Sequence, residues 1–159
     1  MMIERRAVTA LRVFLVVLFA LLVLFQAMSL PGQFAHMAEE DPDSAYLRWP
    51  ATAVTVFWVL CAQVVLVCTW QLLTLVRRDR IFSEVAFKWV DGILWAVLAA
   101  WVTLGGVLVF VLANATDPGL PLLLILLGAG VTVFGLVVLV MRALLRQAAT
   151  LRADLEGVI

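Results

Sequence analysis

The chain has 159 residues, of which 65% are hydrophobic and 14% are charged, and its eleven basic and eleven acidic residues cancel to a net charge of zero. Soluble domains contain about 45–50% apolar and about 25% charged residues, so a soluble core could not bury this excess. The composition therefore excludes an ordinary soluble domain and favours an integral membrane protein.

Four apolar segments are long enough to cross a bilayer, whose hydrocarbon core of about 30 Å requires about 20 helical residues. Among their residues only Arg12 is charged, and it lies near enough to the start of the first segment to reach the interface. A cleaved signal peptide is the weaker interpretation of this first segment, because its apolar stretch is long and residues 27–29 match a cleavage site poorly. We predict a single membrane domain over residues 1–159, with spans at about 8–30, 51–76, 92–113 and 122–141, outer loops at 31–50 and 114–121, an elbow at 77–91 and an amphipathic tail at 142–159.

The basic residues are distributed unevenly around these spans. Only Arg48 falls in an outer segment. The other ten flank the start of the first span, lie in the elbow or follow the fourth span: Arg5, Arg6, Arg12, Arg77, Arg78, Arg80, Lys88, Arg142, Arg146 and Arg152. Cytoplasmic segments of membrane proteins carry an excess of Lys and Arg. We therefore predict a multi-pass protein of the cell inner (plasma) membrane with both termini and the elbow in the cytoplasm.

The outer segment 31–50 is acidic, with four carboxylates between residues 39 and 43. The run Asp41-Pro42-Asp43 lacks the glycine and glutamate that a calcium-binding EF-hand needs, so a solvated acidic loop is predicted. His36 is the only histidine, and Cys61 and Cys68 lie about 10 Å apart along a helix, too far for a disulfide. No metal site and no cofactor is expected.

The elbow RRDRIFSEVAFKWVDG carries a helix-start signal as well as charge. Ser83 as N-cap, with Glu84 in the first turn, predicts that the third helix begins near Glu84. The elbow bases are interpreted as a topology signal, with contact to anionic lipid headgroups as the alternative. They are Arg77, Arg78, Arg80 and Lys88.

Helical periodicity assigns the packing faces of the spans. The amide of Gln63 lies near the bilayer midplane and should face other helices, because lipid offers it no hydrogen-bond partner. Small residues that permit close helix approach line one face of the third span and one of the fourth: Gly92, Ala96 and Thr103, and Gly128, Thr132 and Gly135. Short connections then predict an all-α, four-helix up-down bundle in which helices three and four are neighbours.

The tail continues the fourth helix into the cytoplasm with a heptad-like seam. Apolar positions recur at intervals of three and four residues: Met141, Leu144, Ala148, Leu151, Leu155 and Val158. This seam predicts pairing with a second copy, with a partner helix or with the elbow. An amphipathic extension lying on the membrane surface is the equally supported alternative.

With four spans and cytoplasmic termini, the elbow RRDRIFSEVAFKWVDGILWA and the tail ALLRQAATLRADLEGVI, the chain resembles the family named domain of unknown function 2975, in an actinobacterial version. The resemblance extends over essentially the whole chain. Phe82-Ser83 matches the family's elbow, whereas Asp79-Arg80 stands where a glycine-containing turn is common. It implies a small bacterial membrane protein of uncharacterised function, often encoded beside a helix-turn-helix regulator, and hence a sensing or regulatory role.

These features favour a non-enzymatic membrane protein that acts through protein or lipid contacts, as an accessory, sensing or regulatory subunit. The candidate contact residues are Arg77, Arg78, Arg80, Lys88, Leu144, Leu151 and Leu155. The alternative is a small transporter or channel subunit that works as an oligomer around Gln63. An enzyme is disfavoured, because no catalytic triad or metal constellation is present and the bilayer separates His36 from the cytoplasmic acids. The expected partners are membrane lipids and a protein partner or second copy, with no direct contact to nucleic acid.

Overall fold

The computed structural model of the chain describes residues 2–40 and 42–158, and its regular elements in that part of the chain are all helical. The helices are α1 (Met2–Leu24), a π-helical turn (Phe25–Ser29), α2 (Leu30–Glu40), a 3₁₀ segment (Pro42–Leu47), α3 (Arg48–Arg77), α4 (Glu84–Asn114) and α5 (Gly119–Val158). Four stretches of the described chain are long and apolar enough to cross a membrane: Met2–Ser29, Arg48–Arg77, Glu84–Asn114 and Gly119–Val158. The predicted all-α fold with four membrane-length helices is confirmed.

The connection at 31–50 is helical, where the sequence was expected to form an open loop. α2 follows the π-helical turn directly, and His36 lies 4.0 Å from Glu39 and 3.5 Å from Glu40 on the exposed surface of α2. Alanine, methionine and glutamate favour helix, so α2 satisfies its backbone internally. Pro31 has no N–H to donate to a carbonyl of the preceding turn. The π-helical turn ends two residues before it, at Ser29. Asp41 of the predicted acidic cluster lies outside the described residues.

The contacts divide the chain into two compact units, Met1–Trp70 and Gln71–Ile159, with the boundary inside α3. Within each unit the paired helices are antiparallel. In the first unit, Arg12 contacts Trp70, while Gln26, further along the chain, contacts the earlier residue Gln63. In the second unit, rising residue numbers on α5 meet falling numbers on α4, so that Gly128 lies beside Leu104 and Gly135 beside Val97. The prediction of one domain over residues 1–159 stays a prediction.

The elbow of the second unit is a short, hydrogen-bonded corner. The N–H of Arg80 donates to the carbonyl of Leu75 at 2.9 Å, and the N–H of Asp79 donates to the carbonyl of Val76 at 3.2 Å. This is a Schellman ending of α3, with Asp79 in the left-handed conformation at φ 53°. The elbow is therefore fixed by its own backbone.

Ser83 occupies the N-cap position of α4, as predicted, with extended backbone angles and Glu84 in the first turn. Its hydroxyl does not cap the helix, however. It donates instead to the carbonyl of Arg80 at 2.6 Å, so the same side chain that starts α4 also closes the corner. The position was predictable from sequence, whereas the hydrogen-bond partner was not.

Candidate functional site

One side of α5 packs against α4 along its whole membrane length. A Cβ atom at Gly135 would lie 3.1 Å from Cγ1 of Val97, and one at Gly128 would lie 3.3 Å from Cδ2 of Leu104. A side chain at either position would press on its neighbour at less than the usual contact distance, so α4 and α5 pack closely at both glycines. Ala96 of α4 is buried at the same interface level.

The other small residues predicted to pack are less enclosed. Gly92 and Thr103 are half-buried on α4, and the Thr103 hydroxyl donates to the carbonyl of Ala99 at 2.7 Å within its own helix. Thr132 is exposed, but its hydroxyl accepts a 3.0 Å hydrogen bond from the indole N–H of Trp101 on α4. Thr132 thus joins the helix pair from its edge.

Gln63 is buried in the first unit, with 8% of its surface exposed. Its Nε2 donates to Oε1 of Gln26 at 2.8 Å, and Nε2 of Gln26 donates to the carbonyl of Val56 at 3.3 Å. This chain of amides joins the π-helical turn to α3. Gln26 was not predicted from the sequence. It could have been found, because a membrane-buried amide such as that of Gln63 needs a polar partner on another helix.

Arg12 and Trp70 meet near the opposite end of the same unit. The guanidinium carbon of Arg12 lies 4.9 Å from the centroid of the Trp70 ring. A guanidinium over an indole face is a favourable cation–π contact, and it is stronger where water is scarce. The one charged residue within the apolar spans is therefore held by a specific aromatic partner.

An ion pair joins α4 and α5 at the charged end of the second unit. Nε of Arg142 lies 2.6 Å from Oδ1 of Asp91, and Nη2 lies 3.2 Å from Oδ2. The two side chains are 32% and 41% exposed, which places the pair in a partly wet, partly enclosed position. Sequence reasoning counted both charges only as span flanks, because it could not fix the register of the two helices.

A second link lies further along α5. The guanidinium of Arg152 lies 5.2 Å from the ring centroid of Phe82 in the elbow, and its Nε lies 3.5 Å from Oε1 of Glu156. Arg142 and Arg152 thus fasten the part of α5 beyond the predicted span to α4 and the elbow. We call this part, residues 142–158, the extension.

The predicted seam of the extension faces away from α4. Leu144, Leu151 and Leu155 are 54%, 58% and 69% exposed. The residues that turn towards α4 at this level, Arg142 and Leu145 among them, belong to a different helical row. Of the three partners that the sequence left open for the seam, the elbow contacts Arg152, which lies off the seam, and the three leucines stay exposed. We call Met141, Leu144, Ala148, Leu151, Leu155 and Val158 the extension face.

The basic residues of the elbow are all exposed. Arg77, Arg78 and Arg80 surround the Schellman corner, and Lys88 lies one turn into α4. Within the described ranges, none of these four side chains forms an ion pair or hydrogen bond. They present their charge to the surroundings of the elbow.

Residues 2–40 and 42–158 contain no group of three or more His, Cys, Asp or Glu side chains placed to hold a metal ion. Cys61 and Cys68 are both free thiols.

Long apolar helices joined by short corners, with charge gathered at one end of the second unit, define a multi-pass membrane protein. Residues 32–159 match the family model described as "Protein of unknown function (DUF2975)", and the chain belongs to this family. The match begins after the first span, so it covers less than the whole-chain resemblance expected from the sequence. No curated protein and no solved structure matches the chain.

Proposed function

We propose that this DUF2975 protein is a non-enzymatic subunit of the plasma membrane that acts through protein contacts made by the extension of α5. The observation that carries the proposal is the exposed extension face. Leu151 and Leu155 remain exposed on the part of the helix that follows the span predicted at 122–141. Apolar side chains in such a row are stabilised when a partner removes them from water.

The length of α5 supports a position of the extension outside the bilayer. Its 40 residues measure about 60 Å, twice the thickness of a bilayer core of about 30 Å. Sharp bends need a proline, a glycine or a π turn, and α5 has no glycine or proline between Gly135 and Gly157. The extension therefore continues along the axis of the span, and does not lie flat on the membrane.

The charge distribution supports a cytoplasmic location for this end. Arg142, Arg146 and Arg152 follow the fourth span, and the elbow bases lie in the same unit. An excess of Lys and Arg marks cytoplasmic segments. In this arrangement the exposed elbow arginines lie within reach of anionic headgroups of the inner leaflet, which is the lipid contact that the proposal includes. A thiol reagent that cannot cross the membrane should leave an Arg80→Cys variant unlabelled in intact cells.

The first unit gives less support to a transporter or channel. The amide of Gln63 is already engaged by Gln26, and Gln26 is engaged by a backbone carbonyl. A polar group with its partners inside the protein serves helix association more readily than permeation. The proposal therefore assigns no catalytic residue, no cofactor and no transported substrate.

The proposal is tested by copurification from native membranes with the extension face altered. The double variant Leu151→Asp with Leu155→Asp should lose the stoichiometric partner chain that the wild type retains. Thr150→Asp with Ala153→Asp is the matched control, because both residues are exposed on the same helix but lie off the face. A wild-type chain that is isolated without any second polypeptide, identical or different, would contradict the proposal.

A further inference from the structure

α5 carries two parallel rows of residues spaced by three and four. The first row contains every residue of α5 that is not exposed, apart from Ala148: Pro121, Leu124, Gly128, Val131, Gly135, Val138, Arg142, Leu145 and Ala149. This row follows a heptad pattern and packs against α4, because it includes the two glycines that contact Leu104 and Val97. The pairing of α4 and α5 accounts for it completely.

The second row lies about 100° away around the helix and extends the extension face back through the membrane. Its members are Leu123, Leu127, Gly130, Phe134, Val137, Met141, Leu144, Ala148, Leu151, Leu155 and Val158. The row keeps its three-four spacing over 36 residues, and the 18 of these from Met141 to Val158 lie among polar neighbours. All of its members except Ala148 are exposed.

Within the membrane such a row carries little information, because nearly every residue there is apolar. In the extension the spacing is informative, because charged and polar residues occupy the other positions, among them Arg146, Gln147 and Asp154. The apolar face stays in phase across the boundary between lipid and water. A membrane surface or a soluble partner would need only the part in water; a second membrane helix would use the whole row.

We propose that two copies of the chain pair through this row, α5 against α5, as a parallel, in-register helix pair that runs from the bilayer into the cytoplasm. The inference rests on the proposed function and names its partner as a second copy. Insertion gives every copy the same orientation, so a two-fold axis must lie along the membrane normal and the two α5 helices are necessarily parallel.

The chemistry of the row suits this symmetry. In a parallel, in-register pair each residue of the row meets its own counterpart, so a single charge on the row would face a like charge. The row has no charge along its entire length. Arg142 and Arg152, which flank it, are already bound to Asp91 and to Phe82 and Glu156. Across the pair, Gln147 falls opposite Arg152, which brings no two like charges together.

Gly130 adds an observation from the membrane part of the row. A Cβ atom at Gly130 would meet nothing within 4 Å in the chain itself, whereas a Cβ atom at Gly128 or Gly135 would contact α4. A glycine inside a helix costs about 1 kcal/mol relative to alanine, unless close approach of another backbone compensates. The second copy supplies that approach in the proposed pair.

Single-cysteine crosslinking in native membranes tests the inference. In a Cys61→Ala, Cys68→Ala background, Leu144→Cys and Leu151→Cys should give a product of two chains with a short bis-maleimide. Arg146→Cys and Ala153→Cys are the matched controls, since both are exposed and lie on the opposite side of the extension. We expect the row positions to crosslink at least tenfold faster than the controls.

The outcomes separate the two proposals. Equal crosslinking at row and control positions overturns the α5 pair. Products of Leu151→Cys with a different polypeptide, and none with a second copy, overturn the pair while the proposed function stands. No product of any kind from the row cysteines overturns both. Because all four substituted side chains are exposed, loss of fold is not the cause of a negative result; equal helical circular dichroism of the four purified variants verifies this.

Discussion

The two units join their helices by opposite means. In the first unit, α1 with its π-helical turn meets α3 through large polar side chains, the amides of Gln26 and Gln63 and the Arg12 guanidinium over Trp70. In the second unit, Gly128 and Gly135 of α5 pack directly against the side chains of Leu104 and Val97 of α4. One pair is fixed at two separate levels, and the other is fixed by continuous close contact.

In lipid, burial of apolar surface does not drive helices together, so particular contacts must determine which helices pair. A hydrogen bond between two amides contributes about 0.6 kcal/mol on average and fixes a single level of the helix pair. Close backbone approach accumulates many small dispersion contacts along the pair. We therefore expect the second unit to depend on shape and the first on a few polar groups.

The largest effect should come from filling the contact at Gly135. A Gly135→Leu side chain would meet Val97 at once, so the helices must separate, and the free energy of unfolding should fall by about 1–3 kcal/mol. Unfolding in mixed dodecyl maltoside and SDS micelles measures this. Gly106→Leu is the control, because nothing lies within 4 Å of a Cβ there. Equal losses in both variants would show that α4 and α5 do not depend on close approach.

The next effect concerns the one strong polar contact of the second unit. Asp91→Asn leaves the Arg142 guanidinium without its carboxylate and should lower the unfolding free energy by about 1 kcal/mol, less than a fully buried pair because both groups are partly exposed. The loss should shrink in 1 M salt, which weakens the wild-type pair. Asp154→Asn, an exposed acid of α5, should change stability little.

The reversed pair, Asp91→Arg with Arg142→Asp, should recover part of this stability. If the reversed pair is no better than Asp91→Asn alone, the contact contributes through packing and not through charge, and the contrast between the units becomes sharper.

The sequence determined the number and type of the long helices because hydropathy and period act locally. Ser83 was recognisable as a helix start for the same reason. Register is different, because it depends on how far one helix is shifted along the other. The small residues identified Gly128 and Gly135 as the packing face of α5, but only the structure sets Gly135 beside Val97. The Asp91–Arg142 pair follows from that register, so it was missed.

The first unit was harder to predict for a second reason. The π-helical turn at Phe25–Ser29 shifts the phase of the helix by an added residue, so a strict 3.6-residue period does not bring Gln26 towards Gln63. The helical connection α2 was missed because the breakers Pro31, Gly32 and Pro42 outweighed its alanines and glutamates in a local view. Both segments are helical although each contains a feature that a local view treats as an interruption. These features are the added residue at Phe25–Ser29, and Pro31 with Gly32 in α2.

A smaller effect should follow from removing the amide pair of the first unit. Gln63→Leu deprives Gln26 of its donor and should lower the unfolding free energy by about 0.6 kcal/mol, up to about 1.7 kcal/mol. The double variant should be no less stable than Gln26→Leu alone, which already removes both hydrogen bonds, and a double-mutant cycle in mixed micelles measures the coupling. Additive losses would mean that the amides do not act together. Changed ion flux in liposomes with Gln63→Leu would instead favour the transporter alternative.

The smallest effect should come from the elbow, and it should be stabilising. Asp79 adopts φ 53°, a conformation that glycine reaches without the steric cost of a Cβ atom. Asp79→Gly should therefore raise the unfolding free energy by about 0.5 kcal/mol, while Asp79→Ala, which keeps a Cβ, should not. Unfolding in the same micelles compares the two. Because α4 and α5 are held by contact along their length, removing strain at Asp79 should add little to the free energy of unfolding. A gain as large as the loss from Gly135→Leu would mean that the turn, and not close approach, limits the stability of the second unit.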